Sequence, residues 1–354
     1  MQEQKSTQQP ASAPIRTAAL GMLASILILG ASALSQSLPP SQYISFDAPN
    51  AGTGQYQGTG PTSINRQGWI CGTVVYSTGF AHGFLRKPNG AFIAVNPPNS
   101  SQSFVAQIND SNLTVGSFYG TNATYGFLRD AAGNYTQLAV AGSNTTVASG
   151  ISSTGVVVGF DYDSIGSHGF LWDAKRGYTV FDVPGSKPGT TIALAINAVG
   201  AVTGFYYDNS DYSHGFVRSR NGHFTTFEAV YGGNQTNSVA INANSQTTGW
   251  GNDGLGGTYG FLRNVGGASS IFGVAGSPGS AATALNDNGV IVGYDFSDAG
   301  GNGSFERDQS GNIILITLPF SNTGNTPTGI NQIGQIIGDY IDAAGVSHGW
   351  VGVP

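Results

Sequence analysis

Charge is scarce in this chain: only 9% of its 354 residues are Asp, Glu, Lys or Arg, and there is a single cysteine. A disordered chain would carry more charge and fewer aromatics than the 15 Tyr and 19 Phe found here. With 13 Lys and Arg against 19 Asp and Glu, the net charge is −6, which excludes an extended basic surface for DNA or RNA. One cysteine, Cys71, excludes an intrachain disulfide and a cysteine zinc cluster, so stability must come from packing. Long apolar runs are also missing except for Ala18–Leu34, which is about 17 residues, short of the ~20 that span a bilayer.

That run follows a polar, Gln-rich start and Arg16, and precedes the small residues Ala31-Ser32-Ala33. Residues 1–35 therefore read as a secretory signal with a long polar n-region, or as a retained N-terminal anchor. Either reading places the remainder outside the cytoplasm: secreted, at the cell surface or in the periplasm. Residues 36–42 form a linker and 43–354 a repeat domain.

What is abundant is glycine, 54 residues, together with Asn, Ser, Thr and aromatics. This is the composition of many short strands joined by tight turns. The dipeptide Ile-Asn sets the period: Ile64-Asn65, Ile108-Asn109, Ile151-Ser152, Ile196-Asn197, Ile241-Asn242, Leu285-Asn286 and Ile330-Asn331, in steps of 43 to 45 residues. Eight residues after each Ile or Leu stands a glycine: Gly72, Gly116, Gly159, Gly204, Gly249, Gly293 and Gly338. An aromatic follows at 19 or 20: Phe84, Phe127, Phe170, Phe216, Phe261, Phe305 and Trp350.

Each unit reads as four antiparallel strands, A to D. Asn197-Ala-Val-Gly200 has the chemistry of a type I turn closing an A–B hairpin. "AVTGF" then gives strand B, "HGFVR" strand C and "HFTTFEAV" strand D. Four strands in about 40–45 residues is the unit of a propeller blade. The residue before each Ile or Leu is small in six of seven repeats, as expected if strand A crowds around an axis. The chain finishes on a strand C, "HGWVGVP", while "YISFDAP" at Tyr43–Pro49 is a strand D without a blade. Pairing the two would close a seven-bladed β-propeller and hide both edges; the alternative architecture is a β-solenoid.

The units resemble a family of bacterial extracellular repeats named for a His-Ala-Phe signature, preceded by Ile-Asn-x-x-Gly-x-x-x-Gly. Here the signature is His-Gly-Phe, with Gly83, Gly169, Gly215 and Gly349 in place of Ala. The resemblance covers nearly all of 43–354 and implies secretion and a repeat fold, with no reaction and no catalytic residues.

His82, His168, His214 and His348 share one repeat position, taken by Tyr125, Tyr259 and Gly303 elsewhere. A catalytic or zinc-binding histidine converges with partners on one point, and four spread around a ring do not. They read as blade packing, and function is sought in the loops. In an antiparallel blade the A–B and C–D turns share one face and the B–C and D–A loops the other.

The B–C segments hold Asp161, Asp163, Asp208, Asp211, Asp253, Asp295, Asp298, Asp339 and Asp342, with Tyr76, Tyr119, Tyr162, Tyr206, Tyr207, Tyr212, Phe296 and Tyr340 beside them. Nine of the thirteen basic residues, among them Arg86, Arg129, Arg218, Arg263 and Arg307, fall in or near the C–D turns, so the disc is expected to be electrically two-faced. Aromatic platforms beside acids and amides suit sugar hydroxyls, and oxygen-rich loops suit Ca²⁺, although Asp, Asn, Gly and Tyr are also ordinary turn residues.

The sequence thus supports an exported binding or scaffolding module, more readily than an enzyme, with a glycan or surface protein as partner. The candidate binding residues are Asp161, Tyr162, Asp163, Tyr206, Tyr207, Asp208, Asp211, Tyr212, Asp295, Asp298 and Asp342, with no catalytic or metal residue assigned and Ca²⁺ as the one conceivable cofactor. Alternatives are a polysaccharide hydrolase or lyase using loop carboxylates, and a purely structural surface or adhesion protein.

Overall fold

The computed structural model describes residues 41–296, 303–321 and 324–354, which belong to one compact unit, Gln36–Pro354. The leader, most of the linker and Asp298 lie outside the described residues.

Every repeat forms a four-stranded antiparallel blade. In the fourth, strand A is Ile192–Ile196, B is Val202–Tyr207, C is Ser213–Arg218 and D is Phe224–Phe227. Six blades are contiguous in sequence. In the seventh, strands A to C end with Ser347–Val353, and strand D comes from the N-terminal Gln42–Phe46. These two pair antiparallel from Gln42↔Val353 to Phe46↔Gly349, so the expected closure is present.

The Ile-Asn signature works at two levels. Within its turn, Asn197 Oδ1 accepts from Ala201 N at 2.9 Å and Gly200 N donates to Asn197 O at 3.1 Å. The fourth turn residue takes positive φ, which Gly200 adopts freely at 84° and Asn112 and Ser245 adopt at 57°. Beyond its turn, the Asn Nδ2 donates to the corresponding carbonyl of the next blade: Asn65 to Asn109 O, Asn109 to Ser152 O, Asn197 to Asn242 O, Asn242 to Asn286 O and Asn286 to Asn331 O, at 2.9–3.1 Å. Asn331 Nδ2 donates to Asn65 O at 3.0 Å and completes the circle. Ser152 is the one repeat residue whose side chain is too short to pass the belt forward.

Strand A carries a bulge in every blade, falling at Thr62, Ala106, Ser149, Leu194, Val239, Thr283 and Thr328. Where the bulged residue has a hydroxyl it bonds the next blade: Thr62 to Val105 O, Ser149 to Ala193 O, Thr283 to Pro327 O and Thr328 to Pro61 O, at 2.7–2.9 Å. Small residues such as Ala195, Ala240 and Gly329 line a central cavity of ≈ 340 Å³ among the seven A strands. The large exception, Gln107, reaches across to accept from Ile151 N over Gly150.

Between blades the core is aromatic. Phe127, Phe170, Phe216, Phe261, Phe305 and Trp350 of strand C are fully buried. Arginines at the ends of the C strands stack on phenylalanines of the preceding blade's D strand: Arg86 over Phe46, Arg218 over Phe181, Arg263 over Phe227 and Arg307 over Phe272, at 4.7–5.1 Å. These arginines are cation–π packing groups, which corrects the expectation that they form one charged face of the disc. Their Nε atoms are buried without a hydrogen-bond partner, as suits a guanidinium laid against a ring.

Candidate binding face

The histidines sit at the start of strand C, and their rings bridge two segments. His168 Nδ1 faces Asp182 at 2.9 Å, beyond strand D, while its Nε2 faces Asp163 in the B–C loop at 3.3 Å. His348 does the same with Asp47 at 3.0 Å and Asp342 at 3.4 Å. His214 contacts Glu228 through Nδ1 and Asp208 through Nε2, the latter at 3.2 Å. In the first blade His82 Nδ1 meets Asn96 instead, at 3.0 Å. Three rings also lie flat on a tyrosine in or just past strand B: His82 on Tyr76, His214 on Tyr206 and His348 on Tyr340, at 5.0–5.2 Å. The histidine position is therefore structural, as expected, but as a clamp between loops more than as hydrophobic packing. Burial works against the charged form of His168, and the Asp182 and Asp163 carboxylates outweigh it, so its pKa is raised.

The loop carboxylates are occupied from their own side too. Asp208 Oδ1 accepts from Ser210 N at 2.8 Å and Tyr212 N at 3.0 Å. Asp163 accepts from Ile165 N at 2.7 Å, and Asp342 from Ala344 N and Val346 N at 2.9 Å. These backbone donors, with the histidine contributing less, hold all three carboxyls below the usual carboxylate range. Asp211 pairs with Lys187 at 2.5 Å.

Five other candidates, Asp161, Tyr162, Tyr206, Tyr207 and Asp295, are strand residues and not loop residues. Strand B runs through Tyr162 and Tyr207, two residues further than its apolar pattern suggests. Of these, Asp161, Tyr206 and Asp295 are buried, and Tyr162 and Tyr207 are exposed. Asp161 accepts from Ser143 Oγ, and burial raises its pKa. The loop carboxylates Asp163, Asp208, Asp211 and Asp342 thus each have a local partner, while one oxygen of Asp161 and one of Asp295 are buried without one. Among the described residues no group of three His, Cys, Asp or Glu converges as a metal site. Asp163, Asp208 and Asp342 are each turned to a histidine and to turn amides, and Asp211 to Lys187.

Beside these groups, a set of aromatics also faces outward. Eleven residues after the repeat Ile or Leu, at the end of strand B or one residue past it, stand Tyr119, Tyr162, Tyr207 and Phe296, 43%, 42%, 36% and 40% exposed. Ile341 takes the same position in the seventh blade and is also exposed. Each ring rests against a second: Tyr162 edge-on to Phe160 at 5.8 Å, Tyr207 to Phe205 at 5.9 Å, Phe296 to Tyr294 at 5.5 Å, and Tyr119 tilted on Phe104 at 5.3 Å. Tyr119, Tyr162 and Tyr207 belong to consecutive blades and form an arc. Tyr212, in the B–C loop after Tyr207, adds a further exposed ring. Tyr119 and Phe296 join the candidate set, and their common repeat offset from Ile is the signal that could have found them.

No family model and no curated protein matches the chain. Solved structures do. A streptogramin B lyase aligns over 88% of this chain and 98% of its own, with a TM-score of 0.57 and 14% identity. Virginiamycin B lyase from Staphylococcus aureus with quinupristin aligns over 88% and 99%, at 0.59 and 12%. The BP39L lectin from Burkholderia pseudomallei aligns over 82% and 93%, at 0.52 and 14%. At these identities the likeness is one of fold, and the fold of this chain is that of the β-propellers.

Proposed function

We propose that this protein is an exported recognition module that binds glycans on its B–C/D–A face. The observation that carries the reading is the row of exposed, ring-supported aromatics Tyr119, Tyr162 and Tyr207 on neighbouring blades. Sugar rings stack on such platforms, and side chains already braced lose little rotamer freedom on binding. Amides beside the arc, such as Gln102 opposite Tyr119 in the ladder, suit hydroxyl groups. Export is supported by the apolar run at 18–34 and by the likeness to extracellular repeats. The fold leaves the choice open, since lyases and lectins both use it. The pairing of Asp163, Asp208, Asp211 and Asp342 with local partners favours binding over carboxylate catalysis.

Affinity electrophoresis of the full chain through immobilised polysaccharides tests the reading. Tyr162→Ala with Tyr207→Ala is expected to abolish retardation by any polysaccharide that retards the wild type, and Asp208→Asn to leave it. Loss with the aspartate change but not the tyrosine changes would overturn it.

A further inference from the structure

The third blade departs from the repeat in two ways that both fall beside one groove on the opposite, A–B/C–D face. Ser152 replaces the belt asparagine; its hydroxyl accepts from Val156 N at 3.0 Å within its own turn, so the belt's link to the fourth blade is missing. The C–D turn is one residue longer, seven steps from Phe170 to Gly177 against six from Phe216 to Gly222, and the extra length carries Lys175 and Arg176. Between blades three and four, lined by Ser152 and by the longer turn, is a cavity of ≈ 440 Å³, within the range of small-molecule sites.

Its lining combines Lys175, Arg176 and Arg220 with the apolar Leu171 and Val199. The stem of Arg220 passes over Gly200, where a Cβ would meet its Cγ at 3.4 Å, so the guanidinium comes from the blade-four wall. None of the three cations forms a salt bridge among the described residues, in which Lys187 is the one Lys or Arg paired with a carboxylate. Asp173 also lines the groove, and its Oδ1 is turned to Lys175 N at 2.8 Å and Arg176 N at 3.2 Å. Three cations against one carboxylate leave the groove positive in a protein whose net charge is −6.

We infer that the groove between blades three and four is a binding site for a small organic anion, a carboxylate or phosphate on an apolar body. The anionic group lies among Lys175, Arg176 and Arg220, and the apolar body lies against Leu171 and Val199. This site is independent of the aromatic arc and does not rest on the glycan reading.

Titration calorimetry of the full chain with benzoate and with phenyl phosphate, beside neutral benzyl alcohol, tests the inference. Saturable binding of an anion is expected, weakened at least tenfold in a Lys175→Ala/Arg220→Ala variant and several-fold by raising salt from about 0.05 to 0.5 M. Preference between the two anions identifies the head group. The variant residues are exposed, and an unchanged melting curve confirms that its fold is intact. No saturable binding of either anion, equal binding of benzyl alcohol, or full binding by the double variant would each overturn the site. Tyr162→Ala leaves the titration unchanged.

Discussion

Glycine serves two different collisions in each repeat. Eight residues after the Ile, a Cβ on Gly204 would stand 2.0 Å from Ile192 O, and on Gly249 1.9 Å from Asn237 O, because the strand A bulge pushes that carbonyl toward strand B. The glycine before the strand C aromatic meets a side chain instead: Gly169 faces Phe181, Gly215 Phe227, Gly260 Phe272, Gly349 Phe46 and Gly83 Val105, each at 2.4–2.6 Å from a built Cβ. This accounts for glycine where the similar repeats carry alanine. Gly204→Ala is expected to cost about 3 kcal/mol or more, read as a fall in urea midpoint. Gly126→Ala, where the nearest atom is Leu138 Cβ at 3.2 Å, should cost clearly less.

Titration adds a second prediction at this scale. Glu306 is buried where the other blades have Leu or Val, and burial raises its pKa to about 7; burial likewise raises Asp339 to about 6. A carboxyl whose folded pKa exceeds its unfolded value binds protons more tightly in the native state. Stability therefore falls as pH rises from roughly 4 through 7. The raised pKa of His168 acts in the same direction, since the contribution of the charged ring is lost as pH rises through the folded value. Asp163, Asp208 and Asp342 have lowered pKa values, so their contributions are complete above about pH 4 and lost on acidification. The melting temperature should peak at about pH 5 and decline toward pH 8. Glu306→Gln should flatten that decline and raise stability at pH 8 by about 1–2 kcal/mol once screening is allowed for.

At the scale of the element, strand A and its turn were largely legible, because Ile-Asn-x-x-Gly encodes a local hairpin and recurs seven times. The end of strand B was not. Asp161 and Asp295 look like loop residues, yet they continue the ladder opposite His168 and Gly303. Polarity within a strand becomes intelligible only when its cross-strand partner is known. The same holds for Arg218 on Phe181, residues on different blades whose contact no local pattern marks. The asparagine belt was visible as a repeated residue but not as a circle. Its one gap suggests a gain: Ser152→Asn should restore the link to Asn197 O and stabilise the protein by about 1 kcal/mol, while Asn242→Ala should cost about 1–3 kcal/mol. Paired thermal melts of both variants check the two signs.

For the whole molecule, closure depends on a strand contributed from the opposite end of the sequence. Deleting Tyr43–Pro49 would expose the edge of Ser347–Val353 and remove the Asp47 partner of His348, and light scattering should show aggregation. The closed ring also distributes roles. Repeated polar residues hold blades together, and what departs from that service faces solvent: an aromatic arc on one face and a cationic groove on the other. The central claim is that the arc is where the protein meets its ligand. It is tested most directly by a glycan array of the full chain, with and without Ca²⁺, beside the Tyr119→Ala/Tyr162→Ala/Tyr207→Ala variant. Saturable binding by the wild type that disappears in a folded variant is the predicted result. An array blank for both, or binding that survives loss of all three rings, would contradict it.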